Sequence, residues 1–131
     1  MYIRFVIPEW DAACRAELGI FHGVFRALHR PSDSPDWLRD EVRREYDWFN
    51  AQLAIPEALH LRAGRHSWRP GICWFRPEAR EHIARARYMA WLLRELGQPV
   101  REIRARRPGT VFWRDPHQVV VAAEAVPRAF A

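Results

Sequence analysis

Residues 72–106, ICWFRPEAREHIARARYMAWLLRELGQPVREIRAR, carry the most regular pattern in the chain and set the reading of the rest. Ile72-Cys73-Trp74-Phe75 is a short apolar run of strand length. Pro77 then suits the start of a helix, Glu78 and Glu81 place negative charge in its first turns, and Gly97 with Pro99 marks its end. Ala79, Ile83, Ala86, Met89, Ala90, Leu93 and Leu96 recur at steps of three and four, which puts them on one face. Val100 to Arg106 returns to alternation, with Ile103 and Ala105 opposite Glu102, Arg104 and Arg106. The expectation is a strand–helix–strand unit whose two strands pair in parallel through a right-handed crossover.

Towards the N-terminus, Tyr2 to Ile7 reads as a strand ended by Pro8, apolar enough on both faces for the interior of a sheet. From Leu18, Phe21, Val24, Phe25 and Leu28 follow a helical spacing that stops at Pro31, although Gly19 and Gly23 are poor helix residues. Ser34 and Pro35 suit the N-cap and first position of a second helix. Its stripe is Leu38, Val42, Tyr46, Phe49 and Leu53, widened by Trp37 and Trp48 and closed at Pro56. Asp40/Arg44 and Arg43/Asp47 are expected outer ion pairs. Leu59 to Arg62 reads as a short strand and residues 63–71 as a loop.

Towards the C-terminus, Val111-Phe112-Trp113 and Val119-Val120-Val121 flank Asp115-Pro116-His117, the core of a β-turn, and form a hairpin. The tail from Pro127 reads as surface chain. The fold expected is α+β: one domain over residues 1–131, a mixed sheet in the order β-α-α-β-α-β-β, with helices packed on at least one face.

A chain of 131 residues, 49% hydrophobic and with seven Trp, can bury one core and no more. It lacks an apolar run of membrane length and a secretory leader pattern, so a cytoplasmic protein with no membrane partner is expected. Cys14 and Cys73 are the only cysteines and lie far apart in sequence, which suggests neither a disulfide framework nor a thiolate zinc site. All 21 basic residues are Arg, a bias that coding composition explains as well as phosphate binding does. Their distribution is more telling: residues 1–58 hold seven Arg and ten acids, a net −3, and residues 59–131 hold fourteen Arg and six acids, a net +8.

The basic half supplies the candidate sites. Arg62, Arg65, Trp68 and Arg69 in the loop, with Arg104, Arg106, Arg107 and Arg114 near strand ends, combine guanidinium forks with aromatic faces, which suggests a basic binding domain for single-stranded RNA or DNA or another polyanion. On the long helix Arg80, Arg87 and Arg94 repeat every seven residues beside Tyr88 and Trp91, which point away from the inner face. They suggest an interface for an acidic protein or for a second copy, unless the N-terminal helices cover them. His60 and His66 beside Arg62 or Arg65 suit a metal-independent phosphodiesterase or ribonuclease, one imidazole as base and the other as acid. A solvated surface role is the simpler reading of both. His22 and His29 share a helical face without a completing ligand, and His82 reads as a half-buried, hydrogen-bonded residue. Zinc, calcium, Walker, dinucleotide and serine-hydrolase motifs are all missing, so neither metal nor cofactor is expected.

Ile72-Cys73-Trp74-Phe75, Glu81-His82-Ile83, Arg107-Pro108-Gly109 and His117-Gln118-Val119-Val120-Val121-Ala122 resemble a group of short uncharacterised bacterial proteins, as does Gly19-Ile20-Phe21-His22. The resemblance covers most of the chain and implies no activity. The group tends to be more acidic where this chain has Trp113-Arg114-Asp115-Pro116-His117. That implies that basic charge at the turn is not a fixed requirement and lowers the weight of Arg114.

Overall fold

In the computed structural model, residues 1–31, 33–56 and 71–123 are described. The elements are β1 (Tyr2–Asp11), β2 (Ala16–Gly19), α1 (Ile20–His29), α2 (Asp36–Gln52), β3 (Gly71–Phe75), α3 (Arg80–Glu95), β4 (Arg101–Ala105), β5 (Val111–Arg114) and β6 (Gln118–Ala122). Among the described residues this is a small α+β domain with a six-stranded sheet and three helices. No described helix is long and apolar enough to cross a membrane.

The first strand is the centre of the sheet, as its two apolar faces require. Ile3 pairs with Arg104 of β4 and also with Phe75 of β3; Val6 pairs with Arg101 of β4 and also with Gly19 of β2. A strand residue has one partner on each edge, so β4 holds one edge of β1 while β3 and β2 take successive lengths of the other. Beyond β3 the sheet continues through β6 to β5. All the ladders are antiparallel.

That topology corrects the expected crossover. The strands flanking α3 do run in the same direction, but β1 lies between them, so they are not neighbours. β4 pairs with β1 along its whole length, whereas β3 meets β1 only at Ile3–Phe75 and pairs along its whole length with β6. Pro8 does not end β1 either. It falls inside the irregularity between Val6 and Trp10, where Ile7-Pro8-Glu9 stand opposite Leu18 alone, and a bulge tolerates the missing N–H. Leu18 and Gly19 are accordingly strand, and α1 starts at Ile20.

Three helices cover one face. Ile3, Phe5 and Ile7 alternate inward from β1 and pack with Val24 of α1, Val42 and Phe49 of α2, and Met89 and Leu93 of α3. The expected inner face of α3 is buried throughout, and Leu92 joins it. Gly97 at φ +86° ends α3 in a Schellman arrangement: its N–H donates to Arg94 O, and that of Gln98 donates to Leu93 O. At the start of α2, Pro35 rather than Ser34 takes the N-cap position. The outer ion pairs there are Arg43–Asp40 and Arg44–Glu41, three residues apart, instead of the expected four. The hairpin forms where expected, with Asp115 Oδ1 accepting from the N–H groups of His117 and Gln118, both at 2.8 Å.

Candidate ligand site in the fork of the sheet

Because β2 and β3 divide one edge of β1, the sheet forks between them. Phe75 stays beside Ile3, but β3 splays away before Gly71, since Gly19 already occupies the edge at Val6. A cavity of about 380 Å3 fills the fork. Leu18, Phe21, Phe49, Leu53 and Ile72 give it apolar walls, and Tyr46, Asn50 and Gln118 add neutral polar groups. A mostly apolar concavity with few polar groups is the usual form of a small-molecule site.

The charged group of consequence is Arg4. It alternates away from Ile3 and Phe5 and so belongs to the other face of β1, yet it lines the cavity through the gap in the sheet. Its guanidinium donates to the backbone oxygen of Glu17 at 2.6 Å. Burial lowers its pKa below the ordinary arginine value, partly opposed by Cys73, Cys14, Glu17 and Asp11. Neither of those carboxylates holds it in an ion pair. Glu17 pairs with Arg101 across β1, and Asp11 Oδ1 accepts from the N–H of Ala13 at 2.9 Å. A partly desolvated guanidinium therefore faces a mostly apolar cavity whose lining also includes Asp11 and Glu17.

Two thiols share this lining. Cys14 Sγ lies 3.8 Å from the carbonyl oxygen of Gly71, and burial pushes the Cys73 thiol up to about 11 while Arg4 pulls it down. Neither cysteine is in a disulfide. His22 stands exposed at the lining.

Most of the arginines singled out by sequence are used inside the fold or fall elsewhere. Arg104 and Arg87 share the carboxylate of Glu102, which they hold below the usual glutamate range. Arg94 donates twice to Val100 O, so the seven-residue Arg ladder is no free stripe. Arg106, Arg107 and Arg114 are exposed and have no side-chain partner among the described residues. Antiparallel pairing sends β3, β4 and β5 in the same direction, so Arg76, Arg106, Arg107 and Arg114 reach the same end of the sheet. They are spread across it, β4 and β5 being opposite edges. His60, Arg62, Arg65, His66, Trp68 and Arg69 lie outside the described residues.

Tyr88 and Trp91 are not covered by the N-terminal helices: they are 39% and 48% exposed, with nearly parallel rings 6.3 Å apart. Tyr88 lies beside Glu41, which helps to raise its pKa, though desolvation does more. His82 is buried and its Nε2 meets Gln52 O at 2.8 Å. Its ring stacks on that of His117 at 4.1 Å, a pairing between α3 and the hairpin that no sequence spacing announces. Among the described residues there is no group of three or more His, Cys, Asp or Glu able to hold a metal.

Sequence reasoning missed Arg4 because a lone Arg in an apolar strand looks like an outward residue of an exposed face. Its signal was the conflict itself: a charge inside the otherwise apolar run from Tyr2 to Ile7. No protein-family model matches this chain, and no curated protein or solved structure does.

Proposed function

We propose that this chain is a binding domain that takes a small organic anion, a carboxylate or phosphate carrying an apolar body, into the fork cavity. The observation that carries the reading is Arg4: a guanidinium without an ion-pair partner among the described residues, partly removed from water, at the wall of a mostly apolar cavity of about 380 Å3. A charge-assisted hydrogen bond in such a place is stronger than one in water, and the aromatic walls supply contact area for the rest of the ligand. Anilinonaphthalene sulfonate, an apolar dye with one negative charge, is a suitable probe. It is expected to fluoresce on binding and to be displaced by octanoate and phenyl phosphate but not by octylammonium. Arg4→Met keeps the side-chain length without the charge and should weaken dye binding by about tenfold, corresponding to ~1.4 kcal/mol. Equal affinity in the variant, or displacement by the cation, would overturn the reading.

A second reading rests on Arg106, Arg107 and Arg114, which are exposed without side-chain partners among the described residues and delivered to one end of the sheet. They suit contacts to the phosphates of single-stranded RNA or DNA. Replacing all three by Gln should weaken binding of an oligonucleotide and flatten its salt dependence, since each phosphate contact releases counterions. Binding with the same salt slope in the variant would remove them from that role.

A further inference from the structure

We infer that Cys14 and Cys73 form a dithiol modification site for low-molecular-weight disulfides, oxidised together to a bond that ties the segment before β2 to β3 across the cavity. The argument starts from the fork. Cys14 stands in the turn between β1 and β2, Cys73 at the middle of β3, and both residues line the same cavity.

The sulfur of Cys14 already touches β3, 3.8 Å from Gly71 O. Cys73 is two residues further along β3, a step of about 7 Å, so the bond draws the turn that carries Cys14 towards the middle of the strand. Each thiol lies in the other's electrostatic environment, and Arg4 stands beside both. Burial weakens Cys73 as an attacking group, so Cys14 attacks first.

With oxidised glutathione the steps balance as follows. The Cys14 thiolate attacks one glutathione sulfur; that disulfide breaks, a mixed disulfide forms, and one glutathione leaves and takes up a proton. Cys73 then gives up its proton and attacks Cys14 Sγ, forming the protein disulfide and expelling the second glutathione, which is protonated in turn. Two protein thiols are oxidised and one small disulfide is reduced to two thiols. Arg4 stabilises the thiolate of the second step.

The consequence for ligand binding rests on the small-anion reading above, because the bond would fix the distance between the walls of the same cavity. The test is intact-mass measurement of folded protein incubated with oxidised glutathione. The expected product is lighter than the reduced chain by two hydrogen atoms, with a Cys14–Cys73 crosslink in the peptide map. Cys73→Ser should instead stop at a glutathione adduct on Cys14, and Cys14→Ser should stay largely unmodified because the buried Cys73 is a poor attacking group. A wild-type reaction that stops at the adduct, or that crosslinks only in denaturant, overturns the site.

The dye titration is then repeated on the oxidised protein, where affinity is expected to fall by about tenfold. Crosslinking with unchanged dye affinity would uphold the modification site and overturn its control of the cavity. No dye binding to the reduced protein would defeat the small-anion reading and leave the crosslink result standing.

Discussion

Gly23 of α1 lies against Ile7 of β1: a Cβ built at position 23 would stand 2.9 Å from Ile7 Cγ2. This contact sets how closely the first helix can approach the central strand. Ala in place of Gly gains up to about 1 kcal/mol of helix propensity but forces a well-packed core apart, at a cost of roughly 1–3 kcal/mol. Gly23→Ala is therefore expected to be destabilising. In an Ile7→Ala background, where the obstructing methyl is gone, the same change should become stabilising. Urea unfolding of the four proteins reads this change of sign, and a Gly23→Ala effect independent of residue 7 would refute it.

Gly97 is the contrasting case, since a Cβ there would meet nothing within 4 Å and only the backbone at φ +86° objects. Gly97→Ala should cost about 1 kcal/mol in thermal or urea unfolding, with Gly97→Asn recovering part of the loss. Equal stability of the Ala variant would mean that α3 does not depend on its Schellman end.

Glu45 is buried on α2 and is held by Arg85 of α3 at 2.9 Å, while the guanidinium of Arg85 also lies 4.3 Å from the ring centre of Trp48. Removing Arg85 leaves a carboxylate out of water without its counter-charge. Arg85→Ala should cost roughly 2–4 kcal/mol, and the added change Glu45→Gln should restore much of it. Arg85→Lys keeps the charge and gives up the planar contact with Trp48, so an intermediate loss is expected. Full stability of Arg85→Ala would show that Glu45 is readily hydrated.

Cys73 carries a pH dependence with a definite sign. Its thiol ionises at about 11 in the fold against an ordinary 9.0, because burial opposes the thiolate. The native chain thus holds that proton over an interval where the unfolded chain has lost it. Stability from this group is complete below pH 9, falls between pH 9 and 11 and levels off above, a total of roughly 3 kcal/mol. Comparing urea unfolding of wild type and Cys73→Ala across that interval isolates the contribution; identical slopes would contradict it.

Where residues interact with near neighbours in the chain, the sequence was legible. The face of α3, its Gly97 end and the Asp115 turn all follow from spacing and from single-residue backbone chemistry. The same reasoning stopped short at β2. Ala16-Glu17-Leu18-Gly19 has no strong strand pattern of its own, and it becomes a strand because β1 runs on past Pro8 with an open edge to pair. Exposure of Tyr88 and Trp91 was equally hidden, since it depends on how far α2 and α1 reach across α3.

The candidate site shows the division most sharply. The sequence by itself determined that the chain holds one α+β core, that its basic charge is concentrated in the second half, and which faces of the helices turn inward. Only the tertiary structure decided that β3 and β2 share an edge of β1, that the fork between them encloses a cavity, and that Arg4, Cys14 and Cys73 meet there. Propensity and hydrophobic periodicity act over a few residues, whereas the fork brings together positions 4, 14 and 73 through strand pairing, and the division of one strand edge between two partners leaves no local trace.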